Sequence, residues 1–184
     1  MLDKLKEIEE YLPWMLRNDG KGCPGPQGDT WNSLLVDYDH PHVWRLWRQW
    51  TPEIRVLLHK IFPCGPGAAL PHPHPWPAAM RIFTPEGSSY ETGVGWAHPE
   101  SADPPPMPAK FVLNGGSTYE MTDFRAWHYV RPIGGPIYSV MVIGAPHDIP
   151  KQKRFGQNRK HKHLDAAQCR DLLEFFRQIY PPGG

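Results

Sequence analysis

Apolar residues recur at steps of three and four along the first sixteen positions. Leu2, Leu5, Ile8, Leu12 and Met15 fall on one side, so the spacing predicts an amphipathic helix from Leu2 to Leu16. A stretch rich in glycine and proline, Asp19 to Asp29, reads as a loop. Helical pattern returns from about Pro41 to Trp50, with Val43, Trp44, Leu46, Trp47 and Trp50 on one side and Arg45 and Arg48 on the other. An aromatic stripe of this kind is a packing face, against a barrel or between two subunits.

From about Glu53 the texture becomes β. Ile54 to Phe62 is rich in branched residues and closed by Pro63, and Leu70 to Thr84 is a second extended stretch that ends in Pro85-Glu86-Gly87. Ser89 to Val94 returns from that turn. After a proline-stiffened loop (Trp96 to Pro108) come four short strands: Lys110 to Leu113, Thr118 to Met121, Ala126 to Pro132 and Ile137 to Ile143. Asn114-Gly115-Gly116 and Gly134-Gly135-Pro136 separate them as turns. About seven short strands with frequent turns predict a mainly β sandwich or jelly roll, not βαβ units. A last helix runs from Asp165, its N-cap, to Tyr180, with Leu172, Leu173, Phe176 and Ile179 as its apolar stripe. The expected organisation is one domain: a helical segment over 1–52, a β-barrel over 53–147, and a basic loop with a helix over 148–184.

Composition narrows this picture. The 184 residues include 23 prolines, 10 histidines and 8 tryptophans. So many prolines, interleaved with apolar residues, mean turns and strand edges rather than disorder. No stretch reaches the roughly 20 apolar residues of a membrane span. The three cysteines (Cys23, Cys64, Cys169) are too few and too scattered for a disulfide framework or a thiolate zinc site, which predicts a reducing, cytoplasmic setting. Net charge is +1, yet six basic residues crowd Lys151 to Lys162 and leave 14 basic against 19 acidic residues elsewhere. With Phe155 its single aromatic, that run reads as a solvated loop, and nucleic acid is not an expected partner.

The chemistry lies in the histidines. His72 and His74 stand in Pro71-His72-Pro73-His74-Pro75-Trp76-Pro77, and residues two apart on a strand share a face. Two imidazoles side by side suit one metal ion, and flanking prolines stiffen the segment. His128 lies on another strand pattern some fifty residues later. His59 reads as a core histidine or a donor behind such ligands. His40 and His42 read as capping or surface residues, His161 and His163 belong to the basic loop, and His98 and His147 stand in loops. No GxSxG, GxxxxGK[ST] or GxGxxG occurs, so hydrolase-elbow, phosphate-loop and dinucleotide chemistries have no support.

These histidines resemble the two motifs of the cupin superfamily over about residues 54 to 144. Gly67, with four residues between it and His72, stands one short of the first motif. The family's glutamate falls on Met80, counted back from Gly87. Gly116 and His128 match the second motif loosely, and its asparagine is Pro132. The resemblance implies a cupin-type jelly-roll barrel with flanking helices. It also implies one divalent metal ion on His72, His74 and His128, with Fe(II) expected first and Zn, Mn or Ni as alternatives. Without the glutamate, the set is similar to the 3-His cysteine dioxygenase branch. A dioxygenase-like enzyme acting on a small organic molecule follows from that resemblance. A ligand-sensing or structural cupin, or an isomerase or lyase, are the other readings. Glu91 or Tyr90 could supply a fourth ligand, Arg131 or Arg81 could hold a substrate carboxylate, and Tyr119, Tyr129 or Tyr90 could donate a proton. Trp76 and Trp127 would wall the site. A homodimer is expected through the Trp44, Trp47 and Trp50 face.

Overall fold

A computed structural model describes residues 1–17, 31–37, 39–98, 103–148 and 162–181. The loop expected over Asp19 to Asp29, Cys23, His161 and nearly all of the basic run lie outside the described residues. Among those described, no helix is long and apolar enough to cross a membrane.

Helix α1 (Leu2–Arg17) precedes ten strands: β1 (Asn32–Val36), β2 (Val43–Gln49), β3 (Arg55–Ile61), β4 (His72–Pro73), β5 (Ala78–Phe83), β6 (Ser89–Trp96), β7 (Ala109–Leu113), β8 (Thr118–Met121), β9 (Ala126–Ile133) and β10 (Ile137–Ile143). Helix α2 (Ala166–Ile179) closes the order. Its first turn is fixed by a capping box, in which the Gln168 amide donates to the Asp165 carboxylate and the Asp165 amide to the Gln168 side chain.

The strands form two antiparallel sheets, one in the order β1-β2-β3-β10-β5-β8 and the other β4-β9-β6-β7. From β3 to β10 the nearest pairings are nested: β3 with β10, β4 with β9, β5 with β8 and β6 with β7. A long hairpin rolled up in this way is a jelly roll, and the fold is mainly β as the strand pattern implied. β1 and β2 widen the first sheet beyond the roll.

Alternation along the strands separates two apolar layers. Leu46, Val56, Leu58, Ala79, Tyr138, Val140 and Val142 face outward from the larger sheet and bury Leu5, Ile8, Leu12 and Met15 of α1 with Leu172 and Phe176 of α2. Leu57, Ile61, Met80, Ile82, Ile137 and Met141 face the interior, where Tyr90 and Val130 of the smaller sheet meet them. The functional chemistry sits in this second layer.

Two expectations are corrected. The segment 41–50 is not helical: β2 pairs along its length with β3, Trp47 opposite Leu57 and Leu46 opposite Leu58. Both faces of β2 are covered, so apolar residues occur at odd and even positions alike and the pattern imitates a helix. Trp44 and Trp47 consequently face opposite layers, and the tryptophan stripe invoked for a homodimer does not exist. The expected helical segment over 1–52 is therefore one helix followed by two strands. Leu70 to Thr84 also divides, because the alternating prolines restrict β4 to two residues at a sheet edge before β5 joins the other sheet.

Candidate metal centre

β4 places His72 directly opposite His128 of β9. His74, two residues on, extends the same face past the end of β4. The three rings converge, with centroids 5.4 Å apart for His72 and His74, 4.7 Å for His72 and His128, and 4.8 Å for His74 and His128. One nitrogen from each lies within 4.8 Å of the other two. His128 is 1% exposed, whereas the two β4-side histidines are half-buried.

The ring protons can be assigned by partner chemistry. Nδ1 of His72 lies 3.1 Å from the Leu70 carbonyl, which only accepts, so His72 carries its proton there and its Nε2 is bare. The Nδ1 of His128 faces the Tyr119 hydroxyl at 3.4 Å, leaving Nε2 3.0 Å from Nε2 of His74. That spacing equals the separation of two nitrogens at about 2.1 Å from one ion and roughly at right angles. The Nδ1 of His74 is buried with no hydrogen-bond partner among the described residues. Three converging imidazoles, two with the far nitrogen backed by an oxygen, fit a divalent metal ion.

Electrostatics keeps these rings neutral. Burial pushes His74 down to about 3, reinforced by His72 and Arg45, and burial also holds His72 and His128 below their ordinary 6.5. Neutral imidazoles are the form that ligates metal, and the sign gives a pH dependence. The stability carried by the neutral rings is fully present above 6.5 and lost as pH falls toward 3.

Beside the histidines runs a polar row across β2, β3 and β10 that the helical reading of 41–50 concealed. Arg45 stands opposite His59, and His59 opposite Ser139. The Arg45 Nε donates to His59 Nε2 at 2.9 Å, so His59 must carry its proton on Nδ1, which faces Ser139 Oγ at 3.0 Å. Arg45 lies close enough for its charge to depress His59, His72 and His74. Strand alternation through Val43, Arg45 and Trp47 was the signal that would have placed Arg45 in the interior.

The other expected residues sort by parity. Val94 of β6 pairs with His128, which puts Tyr90, Thr92 and Val94 on the inner face. Tyr119 and Tyr90 are within hydrogen-bonding reach of each other through their hydroxyls. Burial raises both hydroxyl pKa values, so both stay protonated. Met80, where the resemblance to cupins would place a glutamate, is buried in the same layer opposite Tyr119.

Glu91 and Arg131 are corrections, because they pair with each other on the outer face of the smaller sheet. Arg131 makes a two-pronged contact with the Glu91 carboxylate at 2.9 and 2.7 Å, and the Tyr129 hydroxyl donates to the same carboxylate. The Tyr129 ring lies across Gly93, where an added Cβ would come within 2.2 Å of it. These side chains, with Gly67 and Lys110, line an outer cleft of about 260 Å³ that the three histidines do not reach. Arg81 is likewise outside the site, bound to Glu9 on the helix side. Trp76 flanks the ligands through ring contact with His74, whereas the expectation for Trp127 is corrected: it shares its parity with Tyr129 and Arg131 and so lies on the outer face of β9. His40 and His42 stack on each other at the surface.

Arg131 holds the Glu91 carboxyl down at about 2, below the usual 4.5. The stability this pair supplies is present above pH 4.5 and lost as pH falls toward 2. Arg131→Ala should therefore flatten the acid limb of a stability-against-pH profile. It should leave metal affinity within about twofold of the parent, since distant sites act independently. Titration calorimetry and chemical denaturation at several pH values check both.

No protein-family model and no curated protein matches this chain. Solved structures to which it is similar include an Fe(II) form of HppE, at 14% identity and a TM-score of 0.48, covering 66% of this chain and 60% of that one. They also include the hydroxypropylphosphonic acid epoxidase from S. wedmorenis, at 16% identity and a TM-score of 0.47, covering 66% and 59%. A third is KdgF from Halomonas sp., at 13% identity and a TM-score of 0.42, covering 60% and 86%. The chain spans about three fifths of the epoxidase structures it matches.

Proposed function

We propose that this chain is a mononuclear metal enzyme of the cupin type, with one divalent ion on His72, His74 and His128. Fe(II) comes first and Zn, Mn or Ni after it, and the chemistry is dioxygenase-like on a small organic molecule. The observation that carries this reading is the convergence of three neutral imidazoles inside the jelly roll. When bound, such an ion supplies Lewis acidity and, as iron, a redox centre for dioxygen.

The chain's own residues point to the substrate's chemistry. With Met80 in place of a carboxylate, the ligand set is uncharged and leaves the ion's full positive charge in the cavity. Arg45 adds a second positive charge on the same side, with the Asp39 carboxylate near His72 offsetting part of it. An anionic substrate, such as a small carboxylate, is the class this field favours. The His59–Ser139 pair behind Arg45 fixes its Nε and with it the plane of the guanidinium.

The test is anaerobic preparation with Fe(II), metal analysis, and oxygen uptake with a panel of small carboxylates and thiols. One ion per chain and substrate-dependent uptake are expected, with KM raised roughly 10- to 100-fold in Arg45→Gln and kcat affected less. Protein without metal under those conditions refutes the reading. An unchanged KM in Arg45→Gln removes the anionic-substrate assignment.

A further inference from the structure

The cover over the inner face of the smaller sheet stops beside the histidines. Residues directly opposed on neighbouring strands share a face, so the register puts Val94 on the inner face with His128, Trp96 with Ala126, and Phe111 with Thr92. Along β6 that face begins fully covered, with Tyr90 at 0% and Thr92 at 3% exposed. It then opens: Val94 is half-buried, Trp96 is 58% exposed, and Phe111, beside Thr92 on β7, is 50% exposed. Val94 stands directly opposite His128, and Trp96 is the diagonal neighbour of that histidine, a separation that an aromatic side chain spans. Phe111 is diagonal to Val94 in the same way. Three apolar side chains on the inside of a sheet thus meet solvent next to the metal centre, and a contiguous apolar surface of this kind is ordinarily covered by something that binds there.

We infer that Val94, Trp96 and Phe111 form an apolar mouth of the metal centre and hold a hydrophobic part of the substrate. The inference rests on the metal-enzyme reading and deepens it, since it adds a second chemical requirement to the negative charge. The mouth lies on the β6–β7 side of His128, whereas the charge of Arg45 is felt at His72 and His74 on the β4 side. One strand, β9, separates β4 from β6, so His72 and Val94 stand two interstrand spacings apart, about 10 Å. An anionic group toward Arg45 and an apolar group against Trp96 therefore lie on opposite sides of the histidine cluster. A small carboxylate that carries an aryl group meets both conditions, and acetate meets one. Continuity with the histidines assigns the patch to substrate rather than to a protein partner, because apolar walls around a few placed polar groups are how small-molecule sites are built.

The experiment measures the affinities of acetate and 3-phenylpropanoate by ligand-observed NMR, on Zn(II)-loaded and on metal-free protein, with sedimentation velocity on the same samples. The wild type should bind 3-phenylpropanoate about tenfold or more tightly than acetate, the scale of burying a few carbons against apolar walls. Trp96→Ala should bring the two probes to within about threefold of each other and still take up one Zn(II) per chain. Phe111→Ala should act in the same direction, and it carries the test if Trp96→Ala does not fold. Equal affinities for the two probes in the wild type overturn the inference, as does a preference unchanged in both variants. A wild-type dimer that either variant converts to monomer also overturns it, because a second copy then covers the patch. A wild type that takes up no metal refutes the metal centre instead, and the probe preference of the metal-free protein still decides the mouth.

Discussion

His74→Ala is expected to abolish stoichiometric metal binding while leaving the metal-free protein close to its parent in stability. Structural zinc sites with four protein ligands are worth about 10–16 kcal/mol in all, so one ligand carries on the order of 3–4 kcal/mol, or several hundredfold in affinity. The folding cost should be small for two reasons. His74 lies beyond the end of a two-residue edge strand, so no ladder depends on it. Its Nδ1 is buried without a hydrogen-bond partner among the described residues, and deleting the ring removes that penalty. Metal content by mass spectrometry and melting of the metal-free form measure the two halves separately. One ion per chain in the variant would show that the histidine cluster is not the metal site.

Phe176→Ala is expected to cost about 3–5 kcal/mol of stability, the range for removing a buried aromatic ring. Phe176 is fully buried on α2 and meets Phe83, Tyr138 and Phe175 edge-on. It is the contact through which α2 closes the outer layer, and the ring cannot be replaced without a cavity. The larger sheet stands between this layer and the histidines, so metal affinity of the folded variant should change by no more than about twofold. Denaturation with calorimetry on the same sample checks it, and a large affinity loss would mean that the layers are not independent.

The sequence disclosed what is local. Strand ends at Thr118–Met121 and Ile137–Ile143 coincide with the expected ones, because glycine turns and branched residues mark them within a few positions. The pairing of His72 with His74 was legible for the same reason: it follows from a period of two. What required the third dimension was register. Glu91 seemed near enough to complete the ligand shell until the pairing of β6 with β9 set Val94, not Glu91, opposite His128. Arg45, His59 and Ser139 come from strands far apart in the chain, His59 and Ser139 alone being 80 residues apart, and no short pattern announces that they form a row. The helix expected at 41–50 failed because burial on both faces erases the alternation that identifies a strand.

The prolines at 71, 73, 75 and 77 have a consequence for how the protein behaves in company. β4 is the outermost strand of its sheet, and an unpaired strand edge is where a neighbouring chain can add itself. Alternate positions there have no backbone N–H to offer, so an incoming strand would find half of its bonds missing. The segment that presents two imidazoles to a metal is thereby also closed to strand addition.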